Sequence, residues 1–296
     1  MKPSKQDIYE QVTSEMVKAI DAGTMPWSPG WTGGAASLPL RGTGEAYQGI
    51  NVIVLWCKAM SKGYSNPYWL TYKQAQAHGA QVRKGEKAAT VVYSNRIIKP
   101  EQDASGNETE RAIPYLKAYH VFNAEQIEGL PAKFAHTQTV PMAEVQRIAA
   151  AEAFALATGA RIETGGAPLY RSGSDIIEMP AIERFATPEG YYSTLNHELA
   201  HWTGHPSRLD RQGTMKQRTR GNYAFEEMIA EISAAFTNAR LGLASQMRHD
   251  HAPYIAGWLE VLKADKRAIF TAASAAARAT DYLFSFQPPA ETALAA

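Results

Sequence analysis

Residues 197–205 read HELAHWTGH. On a helix, positions four apart face the same side, so His197 and His201 can aim both imidazoles at one cation. Glu198 lies beside them, placed to take a proton from a water that the ion acidifies as that water attacks a carbonyl. The chemistry this spacing suits is metal-assisted hydrolysis of a peptide bond, as in zincin proteases. The bare five-residue pattern also arises by chance, and Tyr191, Leu195, Leu199 and Trp202 would give any packed helix its amphipathic face. The surrounding sequence has to decide.

A catalytic zinc site of this kind needs a third protein ligand and one open position. Metzincins supply it as a histidine six residues after the second, with a glycine on the way. Gly204 fits that pattern, but position 207 is Ser207 and His205 comes too early. With Gly204 and Pro206 breaking the helix, His205 reads as a polar residue satisfied at the helix end rather than as an extension of the ligand face.

The other source is the downstream segment YAFEEMIAEISAAF, residues 223–236. Phe225, Met228, Ile229, Ile232 and Phe236 form its apolar stripe. Glu227 and Glu231 share the edge of that stripe, where half-buried carboxylates are costly without a partner. Glu227 is therefore the expected third ligand, and Glu231 the expected partner of a ligand histidine's outer nitrogen. Glu226 is expected to point further round, toward solvent. A solvated acidic patch is the competing reading of these glutamates. Tyr191 and Tyr223 are candidates for stabilising an oxyanion, although the sequence does not place them. Two histidines and a glutamate suit Zn2+, and accept Mn2+ or Co2+ as well.

The first half of the chain carries different chemistry. Between residues 41 and 99 there are nine Lys or Arg and two acidic residues, interleaved with Tyr47, Trp56, Tyr64, Tyr68, Trp69, Tyr72 and Tyr93. Cationic side chains hold a phosphate backbone, and flat rings stack on unpaired bases whatever their sequence. The combination suggests single-stranded nucleic acid more than duplex. Tyr64, Tyr68 and Trp69 are the expected stacking platforms, and Lys73, Arg83, Lys84 and Lys87 the expected phosphate contacts. Trp56, inside the apolar run 52–57, reads as core. The run 83–87 reads as a basic turn before a strand, and such a run alone is usually just solvated.

The elements that must position these groups follow from periodicity and punctuation. Helix is expected at 5–22, capped by Ser4, with Ile8, Val12, Met16 and Ile20 as its stripe. The Gly- and Pro-rich stretch 24–44 reads as a loop ordered by Trp27 and Trp31. Short helices follow at 49–60 and 71–78, the second opened by a Thr71–Gln74 capping box. Strands are expected at 88–98 and 114–122, with 99–112 as the loop between them. A linker at 129–141 divides a unit at 1–128 from one at 142–296. The second unit should begin with a helix at 142–158 and strands at 160–164 and 174–179. Helices near 223–241, 252–264 and 266–284 follow the motif helix. The fold class is α+β, with a small mixed first domain and a mostly helical second.

The chain of 296 residues is comfortable for two domains, and its net charge of +1 excludes a uniformly basic coat. The single cysteine, Cys57, excludes an internal disulfide and an all-cysteine zinc site, and lies in an apolar run. The N-terminus has no apolar signal core, and no apolar run approaches membrane-spanning length. A soluble, cytoplasmic protein is expected.

With both halves in view, the sequence resembles the ArdC family of plasmid antirestriction proteins over nearly its whole length. In the first half the likeness rests on YQGINVI (47–53), PYWLTYK followed by Gln74-Ala75, VRKGEK (82–87) and VFNAEQIEGL (121–130). In the second it rests on YYSTLNHELAHWTGH (191–205), SRLDR (207–211) and YAFEEMIAEI (223–232). The resemblance implies an N-terminal single-stranded DNA-binding domain, a C-terminal zincin-like metalloprotease domain, and protection of incoming plasmid DNA from host restriction during conjugation. It implies His197 and His201 as metal ligands and Glu198 as base, and is consistent with Glu227. The partners expected are single-stranded DNA and a protein substrate on DNA, such as a restriction subunit, with transfer into the recipient cell as one route of arrival. The competing expectation is a non-proteolytic strand-coating protein whose metal is structural or accessory.

Overall fold

The computed structural model describes residues 7–27, 37–102, 108–135, 144–211, 219–243 and 252–288. The expected cap Ser4, and Trp31, lie outside these. Helix α1 (Ile8–Asp21) begins later than expected because Asp7 is the cap, its carboxylate accepting the Tyr9 N–H. Val12, Met16 and Ile20 are buried, as their four-residue recurrence requires. Helix α2 (Ile50–Lys62) ends at Gly63, whose φ of 71° suits a residue without Cβ. Helix α3 (Tyr72–Ala77) opens on the Thr71–Gln74 capping box.

These helices flank a four-stranded sheet of order β1-β2-β5-β4. Strand β1 (Leu40–Arg41) is parallel to β2 (Tyr68–Thr71). Strand β5 (Glu108–Asn123) is antiparallel to β2 and to β4 (Ala89–Gln102). The expected loop 99–112 is a correction: pairing continues to Gln102↔Glu108. A two-stranded ribbon leaving the body has no core to cover, so its outer strands can be polar and read as loop. Strands β3 (Gln81–Val82) and β6 (Ile127–Glu128) form a separate antiparallel pair. The expected linker is ordered at its start, where Phe134 is buried against Tyr68 and His78.

The second half opens with α4 (Glu144–Ala157) and a small sheet. In it β7 (Arg161–Thr164) runs parallel to β9 (Ile176–Met179), and β8 (Leu169–Arg171), absent from the sequence reading, antiparallel to it. Helices α5 (Pro188–Thr203), α6 (Arg220–Leu241), α7 (Ala252–Ala264) and α8 (Ala268–Phe284) follow. Helix α6 is enclosed by α5, α7 and α8, so that from Glu226 to Asn238 every residue but Glu231 is buried. Its polar residues must then find partners inside. Asn238 accepts from Asn196 and donates to Ser193 at 2.8 and 2.9 Å, pinning the register of α6 on α5 one residue from His197. Among the described residues no helix is long and apolar enough to cross a membrane.

One cluster of buried side chains spans the expected boundary, and two others lie on one side of it each. Val12, Met16, Ile53, Leu55 and Trp56 share one cluster with Met228, Ile232, Trp258, Ile269 and Ala276. Helix α1 lies against α7 and α2 against α8. A fragment ending near residue 130 would leave this face of α1 and α2 in water. Helix α6, which carries Glu227, therefore shares a cluster with α1 and α2, while the apolar side chains of α5 belong to a second cluster and those of α3 to a third.

Candidate metal centre

Helix α5 starts at Thr187, whose hydroxyl accepts the Gly190 N–H, with Pro188 in the first turn. Both arginines of the SRLDR segment close its far end. Arg208 donates to the Trp202 carbonyl at 2.6 Å, lies 4.0 Å over the Trp202 ring, and is paired with Asp175. Arg211 donates to the Ala200 carbonyl at 2.6 Å and to Thr203 Oγ1 at 2.7 Å. Guanidinium groups suit the carbonyl-rich end of a helix. Gly204 leaves the space: a Cβ there would lie 2.9 Å from Arg211 Nη2. His205 Nδ1 is satisfied locally by Ser207, as a helix-end residue.

Three ligand-type groups converge between α5 and α6. His197 Nε2 and His201 Nε2 are 3.1 Å apart. Glu227 Oε2 lies 3.4 Å from the first, and Glu227 Oε1 3.5 Å from the second. A tetrahedral ion with ligands at about 2.0–2.1 Å has ligand–ligand edges of about 3.3–3.4 Å. Glu227 turns a different oxygen to each imidazole, and one ligand atom from each of the three residues lies within 4.8 Å of the others, so the donor set can close on a small divalent cation.

Carboxylates also face the outer nitrogens. His197 Nδ1 is 3.0 Å from Glu231 Oε1, although off the line of a well-aligned hydrogen bond. His201 Nδ1 is 3.6 Å from Glu226 Oε1, and that carboxylate is gripped by Arg211 Nη2 at 2.9 Å. Glu226 is thus a correction: it is buried and faces His201, because α6 has no solvent side at this level. Sequence reasoning missed Glu226 and Arg211 as neighbours of the site. The signal was present in SRLDR and in the doubled glutamate, but a one-sided stripe hid it.

Among the described residues, four carboxylates (Glu198, Glu226, Glu227, Glu231) and one guanidinium surround the two imidazoles, an excess of negative charge in a mostly buried cluster. Burial alone would push the imidazoles down. The neighbouring carboxylates outweigh it and raise both, His201 to about 10, with Glu226 and Glu227 acting most strongly there. Burial would likewise raise Glu227, but the two histidines hold it well below the usual carboxylate range. The cluster needs positive charge, which protons or a dication can supply. Tyr223 is exposed one turn before Glu227 and touches the Tyr254 hydroxyl at 3.3 Å. Burial of its hydroxyl, with Tyr254 and Glu227 beside it, raises its pKa. Tyr191 instead packs edge-on against Phe185 and Tyr192.

Of the residues expected to meet nucleic acid, one is buried and the others are half-buried or exposed. Trp69 is a correction: it is 2% exposed, facing the core, so no base can reach its ring. Tyr64 is half-buried with its ring against Trp69, and Tyr68 half-buried with its ring against Phe134. Lys73, Lys84 and Lys87 are exposed, and Arg83 pairs with Glu86 at 2.8 Å across the expected basic turn.

Comparison with known proteins bears on both halves. Residues 6–122 match the family model of the N-terminal domain of anti-restriction factor ArdC, and residues 149–275 that of a zincin-like metallopeptidase. The crystal structure of antirestriction ArdC from plasmid R388 in its metal-free form is 45% identical, with a TM-score of 0.80 over 95% of this chain and 97% of that one. Its Mn(II)-bound form gives a TM-score of 0.78, over 95% and 98%. Uncharacterized protein y4eC of Sinorhizobium fredii (strain NBRC 101917 / NGR234) is 38% identical over 96% of this chain and 94% of its own length. A DNA primase TraC of Escherichia coli is also 38% identical over 96% of this chain, which spans 27% of that protein.

Proposed function

The chain belongs to the ArdC antirestriction family, and from that premise we propose that it is a metal-dependent peptidase working beside single-stranded DNA, protecting incoming plasmid DNA from host restriction during conjugation. The observation that supports the reading is the convergence of His197, His201 and Glu227, with the two Nε2 atoms 3.1 Å apart and a Glu227 oxygen 3.4 or 3.5 Å from each. These three residues would hold the ion. The donor set favours Zn2+, and the Mn(II)-bound relative supports manganese as a competitor. When bound, the ion supplies Lewis acidity to the scissile carbonyl and acidifies water.

The remaining steps fall to the chain's own side chains. Glu198, buried next to His201, takes the proton from the attacking water and delivers it to the departing amine. Glu231 and Glu226 hold the outer imidazole nitrogens, so that both Nε2 atoms face inward. The Tyr223 phenol, one turn before Glu227 and with its pKa raised, would donate to the developing oxyanion. The substrate would be a protein on the DNA, such as a restriction subunit, met in the cytoplasm of the recipient. The excess of cations in residues 41–99 and its exposed lysines support the strand-binding part.

Two measurements on the full chain test these parts separately. Hydrolysis of an unstructured protein should need the ion and stop when it is chelated; no hydrolysis with any of Zn2+, Mn2+ or Co2+ would remove the peptidase. Binding of a single strand should weaken with salt, log K falling by about 0.7 per log unit for each phosphate contact. Binding indifferent to salt would remove the electrostatic contact.

Glu226→Gln keeps an acceptor for Arg211 but withdraws the charge facing His201. Cation affinity by calorimetry should fall by about 10-fold or more. Unchanged affinity would show that Glu226 serves only to hold Arg211.

A further inference from the structure

The residues first expected to stack on bases are buried or half-buried, and a different set is exposed. In the β4–β5 ribbon the register sets Val91 opposite Tyr119, Tyr93 opposite Lys117 and Asn95 opposite Tyr115. Side chains directly opposite share a face, as do alternate residues along each strand. At the ribbon's base this face is core: Ala89, Val91 and Val121 are buried. Further out it meets water, with Tyr93 48%, Tyr119 39% and Tyr115 36% exposed. These three exposed rings on one face contribute little to the core, and exposed aromatic clusters of this kind mark interaction sites.

We propose that this face of the ribbon, Tyr93, Tyr115 and Tyr119 with Lys117 and Lys99, is the stacking surface for single-stranded DNA. The proposal rests on the strand-binding reading above and names where it occurs. Ring exposure and charge both fit that partner. The Tyr93 and Tyr119 centroids are 6.5 Å apart with the rings at 84°, and Asn95 donates to the Tyr93 hydroxyl at 2.9 Å, fixing that ring. The Lys117 ammonium lies 5.1 Å over the Tyr119 ring, close enough to hold the phosphate of a base stacked there. No acidic residue occupies this face between 89 and 99 or between 115 and 121, and Lys99 and Lys117 are both exposed.

A peptide adding to the free edge of β4 fits less well. The Asn51 side chain already occupies that edge, bonding both the N–H and the carbonyl of Val92 at 2.8 Å. Paired bases hide their faces from a ring, so duplex should gain nothing from the tyrosines.

The test uses the full chain and a fluorescein-labelled oligothymidylate, read by anisotropy. Stacking is worth roughly 5- to 100-fold per base when a ring is removed. Tyr93→Ala, Tyr115→Ala and Tyr119→Ala combined should weaken single-strand binding at least about 100-fold and leave a matched duplex within about 3-fold. The three Phe substitutions keep the rings and should hold wild-type affinity within about 3-fold. Lys117→Gln should reduce the salt slope by about 0.7. A triple Ala variant that binds like wild type overturns the ribbon and leaves the strand-binding reading intact. Wild type failing to bind any single strand overturns both. Loss in the Phe variant, or equal loss for duplex, overturns stacking as the mode of contact. All three side chains are exposed, so unchanged melting temperatures are expected throughout.

Discussion

Glu227→Gln is expected to cost the protein its stable hold on a divalent cation. Protein sites with a full ligand set bind zinc with on the order of 10–16 kcal/mol, and one of three protein ligands carries about a third of that, ~3–5 kcal/mol. Affinity should therefore fall by about 10²- to 10⁴-fold. Glutamine keeps the shape but lacks the charge, and the two imidazoles lie only 3.1 Å apart at their inner nitrogens. Calorimetry against Zn2+ and Mn2+ reads the affinity directly. Thermal melting gives a second view, because an ion that binds only the folded state raises the melting temperature. Wild type should show that rise and Glu227→Gln should not. A variant that binds as tightly as wild type would move the third ligand to Glu226 or Glu231, the other carboxylates that face the histidines.

Glu198→Gln should separate chemistry from binding. General acid–base catalysis contributes about 10²- to 10⁴-fold, and a glutamine cannot accept the proton. Hydrolysis should fall by that factor in kcat, with KM nearly unchanged, because the group acts only as bonds change. Cation affinity should stay within about 3-fold of wild type, since Glu198 is not one of the three converging groups. Single-strand binding should be untouched. A variant that still cleaves at the wild-type rate would remove Glu198 as the base. A variant that loses its ion would make Glu198 part of the binding set.

The contrast between the two halves shows where sequence periodicity carries information. The i, i+4 histidines and the capping box of α3 are local features, set by a few successive residues, and each is found where its spacing places it. Glu226 was misread because α6 is surrounded by three helices, and a stripe pattern assumes one buried side. Burial all round follows from which helices meet, which spacing along α6 alone cannot report. Trp69 was misread for a similar reason. It stands in a short strand whose alternation is too brief to show which side is core, and its neighbours Tyr68 and Tyr72 look alike in sequence. Only the outer part of the ribbon, 99–112, was hidden by its polarity, while Tyr115, Lys117 and Tyr119 fall in an expected strand and alternate with Leu116 and Ala118 as one strand face should. The apolar faces of α1 and α2 were legible as faces, but that α7 and α8 cover them could not be read from either half alone.

The central claim is that protection of incoming DNA depends on hydrolysis at this centre. The most direct measurement transfers unmodified plasmid into a restricting host carrying wild-type chain or Glu198→Gln, and counts surviving plasmid. Cation and single-strand binding of the variant are verified beforehand. The account predicts that the variant protects no better than an empty control. Full protection by a Glu198→Gln protein that binds its ion, binds single strands and cleaves nothing would contradict it, and would leave the DNA-binding half as the source of the antirestriction effect.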